Sequence, residues 1–173
     1  MNAEEMGRAL ADIADQIVAD IPSPAGVMVL GIQTRGAVLG RRLRELLEAR
    51  YKASIGSGFL DITLYRDDLS ALGPQPDVHD SEIPFDVRGA KIILVDDVLF
   101  TGRTIRAALD EIVEFGRPAL IRLAVLVDRG LREYPIQPDY MGVKLTTEPN
   151  QTVRVQVAEL EQEDCVQLVT RKG

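Results

Sequence analysis

The sequence predicts an α/β protein, a mostly parallel sheet flanked by helices on both faces. Two observations point to it. Short apolar runs of strand type alternate along the chain with stretches of helical periodicity, the pattern of parallel-sheet proteins. Three of the predicted strands run into polar clusters: Thr34-Arg35, residues 96–104, and Asp128-Arg129. In sheets of this kind ligands sit at the carboxyl ends of the strands, so the three clusters converge on one site. A chain of 173 residues that is 46% hydrophobic is long enough for a substantial core and is expected to form one domain over 1–173.

The elements follow in order. Met6, Leu10, Ile13, Ile17 and Ile21 recur at spacings of three and four, which predicts an amphipathic helix over residues 3–20. Asn2 and Glu5 form a capping pair at its start, and Pro22-Ser23-Pro24 stops it. Val27–Ile32 reads as a buried strand, Gly31-Ile32-Gln33-Thr34-Arg35-Gly36 as a loop, and Leu39, Leu43, Leu46 and Leu47 as the apolar stripe of the next helix. Residues 59–65 read as a strand. Residues 66–84 are a long polar loop with Gly73-Pro74-Gln75-Pro76, and a loop of that length inside a compact domain is expected to be functional or disordered.

Residues 92–95 are a buried strand, with Asp96 and Asp97 at its expected end. Thr101-Gly102-Arg103-Thr104 then leads into a helix marked by Ile105, Leu109, Ile112 and Val113, closed by Gly116-Arg117-Pro118. Residues 120–127 are the most hydrophobic strand and end at Asp128-Arg129-Gly130. The tail holds two further strand candidates, residues 152–157 and Cys165–Thr170.

Composition excludes several functions. The chain has no apolar run near 18 residues, so no membrane span is expected. Met-Asn-Ala-Glu-Glu-Met at the N-terminus lacks an apolar export segment, which predicts a cytoplasmic protein. Cys165 is alone and His79 is the only histidine, so a disulfide, a Cys-based metal cage or a histidine triad is not expected. The net charge is −7, and residues 1–20 carry Glu4, Glu5, Asp12, Asp15 and Asp20 against Arg8 alone. Residues 35–52 hold Arg35, Arg41, Arg42, Arg44, Arg50 and Lys52 against Glu45 and Glu48, on a predicted helix whose basic side is read as a solvated face.

The most informative stretch is residues 92–104. A strand, an acidic pair, a Gly-containing turn and a helix start together predict a cradle for a phosphorylated sugar. Backbone N–H groups at a helix N-terminus bind phosphate oxygens, Gly102 permits close approach, and Thr101 and Thr104 add hydroxyl donors. Asp96 and Asp97 suit sugar hydroxyls, or a Mg²⁺ carried on a polyphosphate. The sequence has neither GxxxxGK nor a GxGxxG after a strand, which counts against kinase-type and dinucleotide-type sites.

This combination resembles the phosphoribosyl diphosphate (PRPP) signature of type I phosphoribosyltransferases. With Asp61-Ile62-Thr63-Leu64-Tyr65-Arg66-Asp67-Asp68, Val95-Asp96-Asp97-Val98-Leu99, Gly116-Arg117-Pro118 and Leu126-Val127-Asp128-Arg129-Gly130, the chain resembles the PyrR family from about residue 6 to the C-terminus. That family comprises pyrimidine-operon attenuation proteins that are also uracil phosphoribosyltransferases. The resemblance implies a type I phosphoribosyltransferase fold with a small hood that recognises the base, and the reaction of uracil with PRPP to give UMP and diphosphate. It implies Asp96, Asp97 and Arg66 as catalytic residues, with Arg66 closing over the leaving group. Thr34 and Arg35 would bind diphosphate, and Val98, Leu99, Phe100, Thr101, Gly102, Arg103 and Thr104 the phosphate side of PRPP. Asp128 and Arg129 would lie at the base. Mg²⁺ would be held by substrate oxygens and water, with Asp96 and Asp97 reaching it indirectly.

The family further implies uridine nucleotides (UMP, UTP) as ligands, a homodimer or homotetramer, and leader RNA as a partner. RNA-binding members carry a first-helix pattern like Arg-Arg-Ala-Leu-x-Arg-Ile-Ala-His-Glu. Here the segment reads Gly7-Arg8-Ala9-Leu10-Ala11-Asp12-Ile13-Ala14-Asp15-Gln16. Leu131 replaces the family's His, and Gln137 and Val143 replace basic residues. These differences predict weak or absent RNA binding, unless Arg41, Arg42 and Arg44 form a compensating patch. Two alternatives are an RNA-binding regulator that senses uridine nucleotides with little turnover, and a transferase for another base such as a purine.

Overall fold

A computed structural model of the chain describes residues 1–62 and 81–170. The elements are α1 (Ala3–Asp20), β1 (Val27–Ile32), α2 (Arg35–Tyr51), β2 (Gly56–Leu60), β3 (Lys91–Leu99), α3 (Arg103–Phe115), β4 (Leu120–Asp128), β5 (Tyr140–Lys144), β6 (Gln151–Gln156), α4 (Ala158–Glu161) and β7 (Cys165–Thr170). Among the described residues, five strands form a parallel sheet in the order β2-β1-β3-β4-β5. β6 and β7 form a separate antiparallel pair.

The alternation of buried side chains along the strands explains the layers. Val29, Ile93, Val95, Ala124 and Leu126 face α1 and α2, together with Val153, Val155, Val157 and Val166 of the hairpin region. Leu30, Ile92, Leu94, Leu123 and Val125 face α3, whose Ile105, Ala108 and Ile112 are buried. Met6, Leu10, Ile13 and Ile17 on α1 are all buried, and each such side chain is worth about 1.5–3 kcal/mol of transfer free energy. The α1 start is capped as its sequence suggests: the Asn2 side chain accepts the Glu5 N–H at 2.9 Å, and the Glu5 carboxylate accepts the Asn2 N–H at 2.8 Å.

Two strand expectations need correction, and one strand was not expected. β2 begins at Gly56, three residues before the apolar run starts, and ends at Leu60, with Asp61 and Ile62 outside the strand. The Gly56-Ser57-Gly58 start carries no strand signal, but a Cβ at Gly58 would lie 2.3 Å from the Glu82 carbonyl oxygen, so glycine is what lets residue 82 pair with β2. Phe59 and Glu82 there exchange two backbone hydrogen bonds of 2.9 Å. β3 does not stop at Val95; it runs to Leu99, because Asp96, Val98 and Leu99 remain in register with Val125, Val127 and Asp128 of β4. β5 is the third difference. Its Gly142 interrupts the strand pattern, yet a Cβ there would meet the Leu126 carbonyl at 2.8 Å and the Ala9 Cβ at 3.0 Å, so the glycine lets β5 and α1 close on β4.

The basic side of α2 is not a free cationic face. Arg42 donates to Asp164 at 2.9 and 2.8 Å and to Glu159 at 3.0 Å. Arg50 pairs with Asp15 of α1, Arg44 donates to Ser57 at 3.2 Å, and Arg35 pairs with Glu161. Of the compensating patch offered for Arg41, Arg42 and Arg44, Arg42 is neutralised by Asp164 and Glu159 and instead fastens the α4 region to α2.

Candidate active site

Parallel strands bring their carboxyl ends to one edge, and the register sets what meets there. Gly31 lies opposite Val95, and Leu99 opposite Asp128. Lys144 lies opposite Asp128 on the other side. The three polar clusters thus sit side by side, as their sequence positions predict.

Thr34 and Arg35 occupy the turn after β1, at the start of α2, and the Gln33–Thr34 peptide is cis. Thr34 is exposed and Arg35 half-buried. Two glycines press this turn into the sheet. A Cβ at Gly31 would lie 2.5 Å from both the Ala37 Cα and the Gly36 carbonyl oxygen, and one at Gly36 would lie 2.6 Å from the Val95 carbonyl oxygen and 3.3 Å from Asp96 Oδ1. The turn therefore rests directly against the acidic pair. Glu161 of α4 reaches in to Arg35. The Val157 amide, and then the Arg35 guanidinium, hold Glu161 below the usual carboxylate range, against burial, which pushes it up.

Asp96 is buried and Asp97 half-buried. Asp96 Oδ1 accepts the Asp97 N–H at 2.9 Å, and Asp97 Oδ1 accepts the Val98 N–H at 2.9 Å. Both carboxylates are oriented by the backbone that carries them. Among the described residues no group of three His, Cys, Asp or Glu side chains could hold a metal ion.

Val98 and Leu99 end β3, Phe100 is exposed, and Gly102, with φ of 93°, caps α3 in the left-handed region. Thr101 Oγ1 accepts the Arg103 N–H at 3.3 Å, one of the helix-start donors that has no acceptor within the helix. Thr104 lies in the first turn of α3, and Arg103 pairs with Glu133 at 2.6 Å.

Asp128 and Arg129 are both buried. Asp128 Oδ1 accepts the Gly130 N–H at 2.9 Å and an Arg132 N–H at 2.7 Å. The Arg129 guanidinium donates to Thr147 Oγ1 at 3.2 Å and to the Gln151 carbonyl at 2.7 Å, and lies 4.0 Å over the centre of the Phe100 ring. Arg129 thus joins β4, the start of β6 and the turn at Phe100. Arg66 and His79 lie outside the described residues, as does the rest of residues 63–80, which takes in the end of the strand expected over 59–65 and most of the loop expected over 66–84.

Arg132 and Glu161 were not among the residues singled out from sequence. Arg132 carried one signal, its spacing of four from Asp128. Glu161 carried none, because its partner Arg35 is remote in sequence.

A family model described as phosphoribosyl transferase domain matches residues 2–162. The chain is 49% identical over 173 residues to the bifunctional protein PyrR of Thermus aquaticus, covering 100% of this chain and 96% of that one. It is 45% identical over 168 residues to the bifunctional protein PyrR of Deinococcus radiodurans, covering 97% of this chain and 92% of that one. Among solved structures, a hypoxanthine phosphoribosyltransferase of Trypanosoma cruzi in a ternary substrates complex matches with a TM-score of 0.72 at 18% identity, over 99% of this chain and 92% of that one. A hypoxanthine-guanine phosphoribosyltransferase of Bacillus anthracis matches with a TM-score of 0.69 at 17% identity, over 98% and 96%. At such identities these structures establish the fold.

Proposed function

Because the chain belongs to the phosphoribosyl transferase domain family and, within it, to the PyrR proteins, we propose that it transfers the phosphoribosyl group of PRPP to uracil, giving UMP and diphosphate. The observation that carries this reading is the adjacency at one sheet edge of the acidic pair, the Gly102 turn and the Arg35 turn, the last two being the anion-binding parts such a substrate needs.

In this reaction the bond from ribose C1 to diphosphate breaks as the bond to the base nitrogen forms, and positive charge develops on the sugar. Positioning and charge neutralisation then supply most of the rate. The carboxylates of Asp96 and Asp97, already oriented by their own backbone amides, hold the ribose hydroxyls. The N–H groups and hydroxyls of residues 98–104 take the 5′-phosphate. Thr34 and Arg35 take the diphosphate, a role in which the family resemblance also implicates Arg66. Asp128 lies at the base, and Arg129 supports that wall through Phe100 and Thr147. The β6–β7 pair with α4 serves as the hood.

Two neighbouring carboxylates supply too few ligands for a cation cage of their own, so the donor set fits Mg²⁺ that arrives on substrate oxygens and water. When bound, that ion neutralises charge on the diphosphate. The reading further includes one domain over residues 1–173, a cytoplasmic location, a homodimer or homotetramer, and regulation by uridine nucleotides. No described helix is long and apolar enough to cross a membrane.

A spectrophotometric assay of uracil with PRPP and Mg²⁺ tests the reaction, with hypoxanthine and orotate as controls. UMP formation confined to uracil supports it; turnover of hypoxanthine in preference to uracil overturns the choice of base.

A further inference from the structure

We infer that Arg132 is a positioning residue that aims the phosphate-binding amides; this rests on the PRPP reading of the same turn. The Arg132 side chain is 13% exposed, and its donors go to backbone carbonyls and to the Asp128 carboxylate. Its guanidinium donates to the carbonyls of Phe100 at 2.9 Å, Gly130 at 3.2 Å and Ile136 at 2.8 Å, with a longer contact of 3.4 Å to Leu99, and it pairs with Asp128 at 2.7 Å.

The neighbouring backbone acts in the same sense. The Leu99 carbonyl accepts the Arg129 N–H at 3.0 Å, and the Thr101 carbonyl accepts the N–H groups of Glu133 and Tyr134 at 2.9 and 3.0 Å. All three carbonyls from Leu99 to Thr101 are therefore held by residues 129–134.

The consequence follows from peptide geometry. In a planar trans peptide the N–H points opposite to the C=O it is joined to. Fixing the carbonyls of Leu99, Phe100 and Thr101 on one side turns the N–H groups of Phe100, Thr101 and Gly102 to the other. Those are the donors of the predicted phosphate cradle. Of the three carbonyls, Phe100 alone receives no backbone N–H bond from residues 129–134, so the Thr101 N–H is set by Arg132.

The same guanidinium grips Asp128, so the phosphate side and the base side are fixed relative to one another by one planar fork. A lysine supplies a point charge and three donors on a flexible stem, and cannot span these acceptors together.

The test is calorimetric binding of PRPP with Mg²⁺ to the wild-type chain, Arg132→Ala and Arg132→Lys, together with steady-state kinetics and thermal unfolding of each. Both variants are expected to weaken PRPP binding about tenfold or more, the scale on which loss of supporting hydrogen bonds acts on a site. The KM for PRPP should rise more than kcat falls. Guanidinium ion at millimolar concentration should restore PRPP affinity to Arg132→Ala, whereas equal sodium chloride should not. Wild-type PRPP affinity in the variants overturns the inference, and so does weakened binding without guanidinium rescue, which a merely destabilised turn would give. If Arg132→Ala does not fold, the Arg132→Lys affinity decides alone. Failure of the wild-type chain to bind PRPP overturns the underlying reading, a distinct result.

Discussion

Gly36→Ala is the sharpest single test of how the site is built. The added methyl would fall 2.6 Å from the Val95 carbonyl oxygen, about 0.8 Å inside the 3.4 Å at which ordinary contact begins. It would also fall 3.1 Å from the Asp96 Cα. Both neighbours are main chain of a central strand, so no side chain can swing aside, and the start of α2 must lift from β3. Overpacking of this kind costs about 1–3 kcal/mol. For a chain of this size each kcal/mol lowers the melting temperature by about 2–4 °C, so a fall of roughly 2–12 °C is expected.

The same displacement separates the Thr34-Arg35 turn from Asp96, and a misplacement near 1 Å can cost on the order of 10²-fold in rate. Gly7→Ala is the control. It lies on the exposed side of α1 with nothing within 4 Å of the added carbon, and should gain about 0.5–1 kcal/mol. Thermal unfolding and kcat/KM for PRPP measure both effects. If Gly36→Ala melts with the wild type and keeps its kcat/KM, the turn is not wedged against the acidic pair and the geometric argument fails.

Asp97→Asn should leave the melting temperature near wild type and lower kcat by about 10²–10³-fold, as expected when one preorganised electrostatic group is lost; wild-type turnover would remove Asp97 from the mechanism. Arg42 holds Asp164 and Glu159 below the usual carboxylate range, so the stability these pairs add is present above about pH 4–5 and lost as pH falls through the depressed values. Arg42→Met should therefore lose about 1 kcal/mol at pH 7 and show a flatter acid limb in melting temperature against pH; an unchanged limb would refute the assignment. Leader RNA should bind weakly or not at all, because the exposed side of α1 carries acids, Arg8 is paired with Glu4, and Arg42 and Arg50 are paired with acids. Filter binding to a leader-derived hairpin with a uridine nucleotide present decides this, and sub-micromolar sequence-specific binding would restore the attenuator role.

The parts legible in the sequence are those whose physics is local. Ile13 and Ile17 follow helix period, Asn2 and Glu5 cap within one turn, and the apolar run of residues 92–95 needs no partner to be recognised. β5 is not legible because Gly142 is required by α1 and β4, elements far away in sequence. The Gly56-Ser57-Gly58 start of β2 was hidden for the same reason, since Gly58 makes room for Glu82. The misplaced end of β3 has a related cause. Asp96 and Asp97 are poor strand residues, but the register with β4 and their own amide-to-carboxylate bonds carry the strand through them.

The site divides along the same line. Its proposed phosphate side is a contiguous run, residues 96–104, which is legible as one motif. Its proposed base side is assembled from separated residues: Asp128 and Arg132, with Arg129 reaching Thr147 and Gln151. That difference bears on specificity. The solved hypoxanthine enzymes share the sheet at 17–18% identity, so the sheet cannot be what selects a base. Selection must come from the groups added at its edge. Both bonds to the Asp128 side chain fall on Oδ1, from Gly130 and Arg132. A carboxylate so held is a fixed acceptor, which in the proposed reaction would suit an N–H of the base and not a carbonyl. In the proposed reaction the choice of base would then depend on the orientation of Asp128, which Arg132 fixes together with the turn at Phe100.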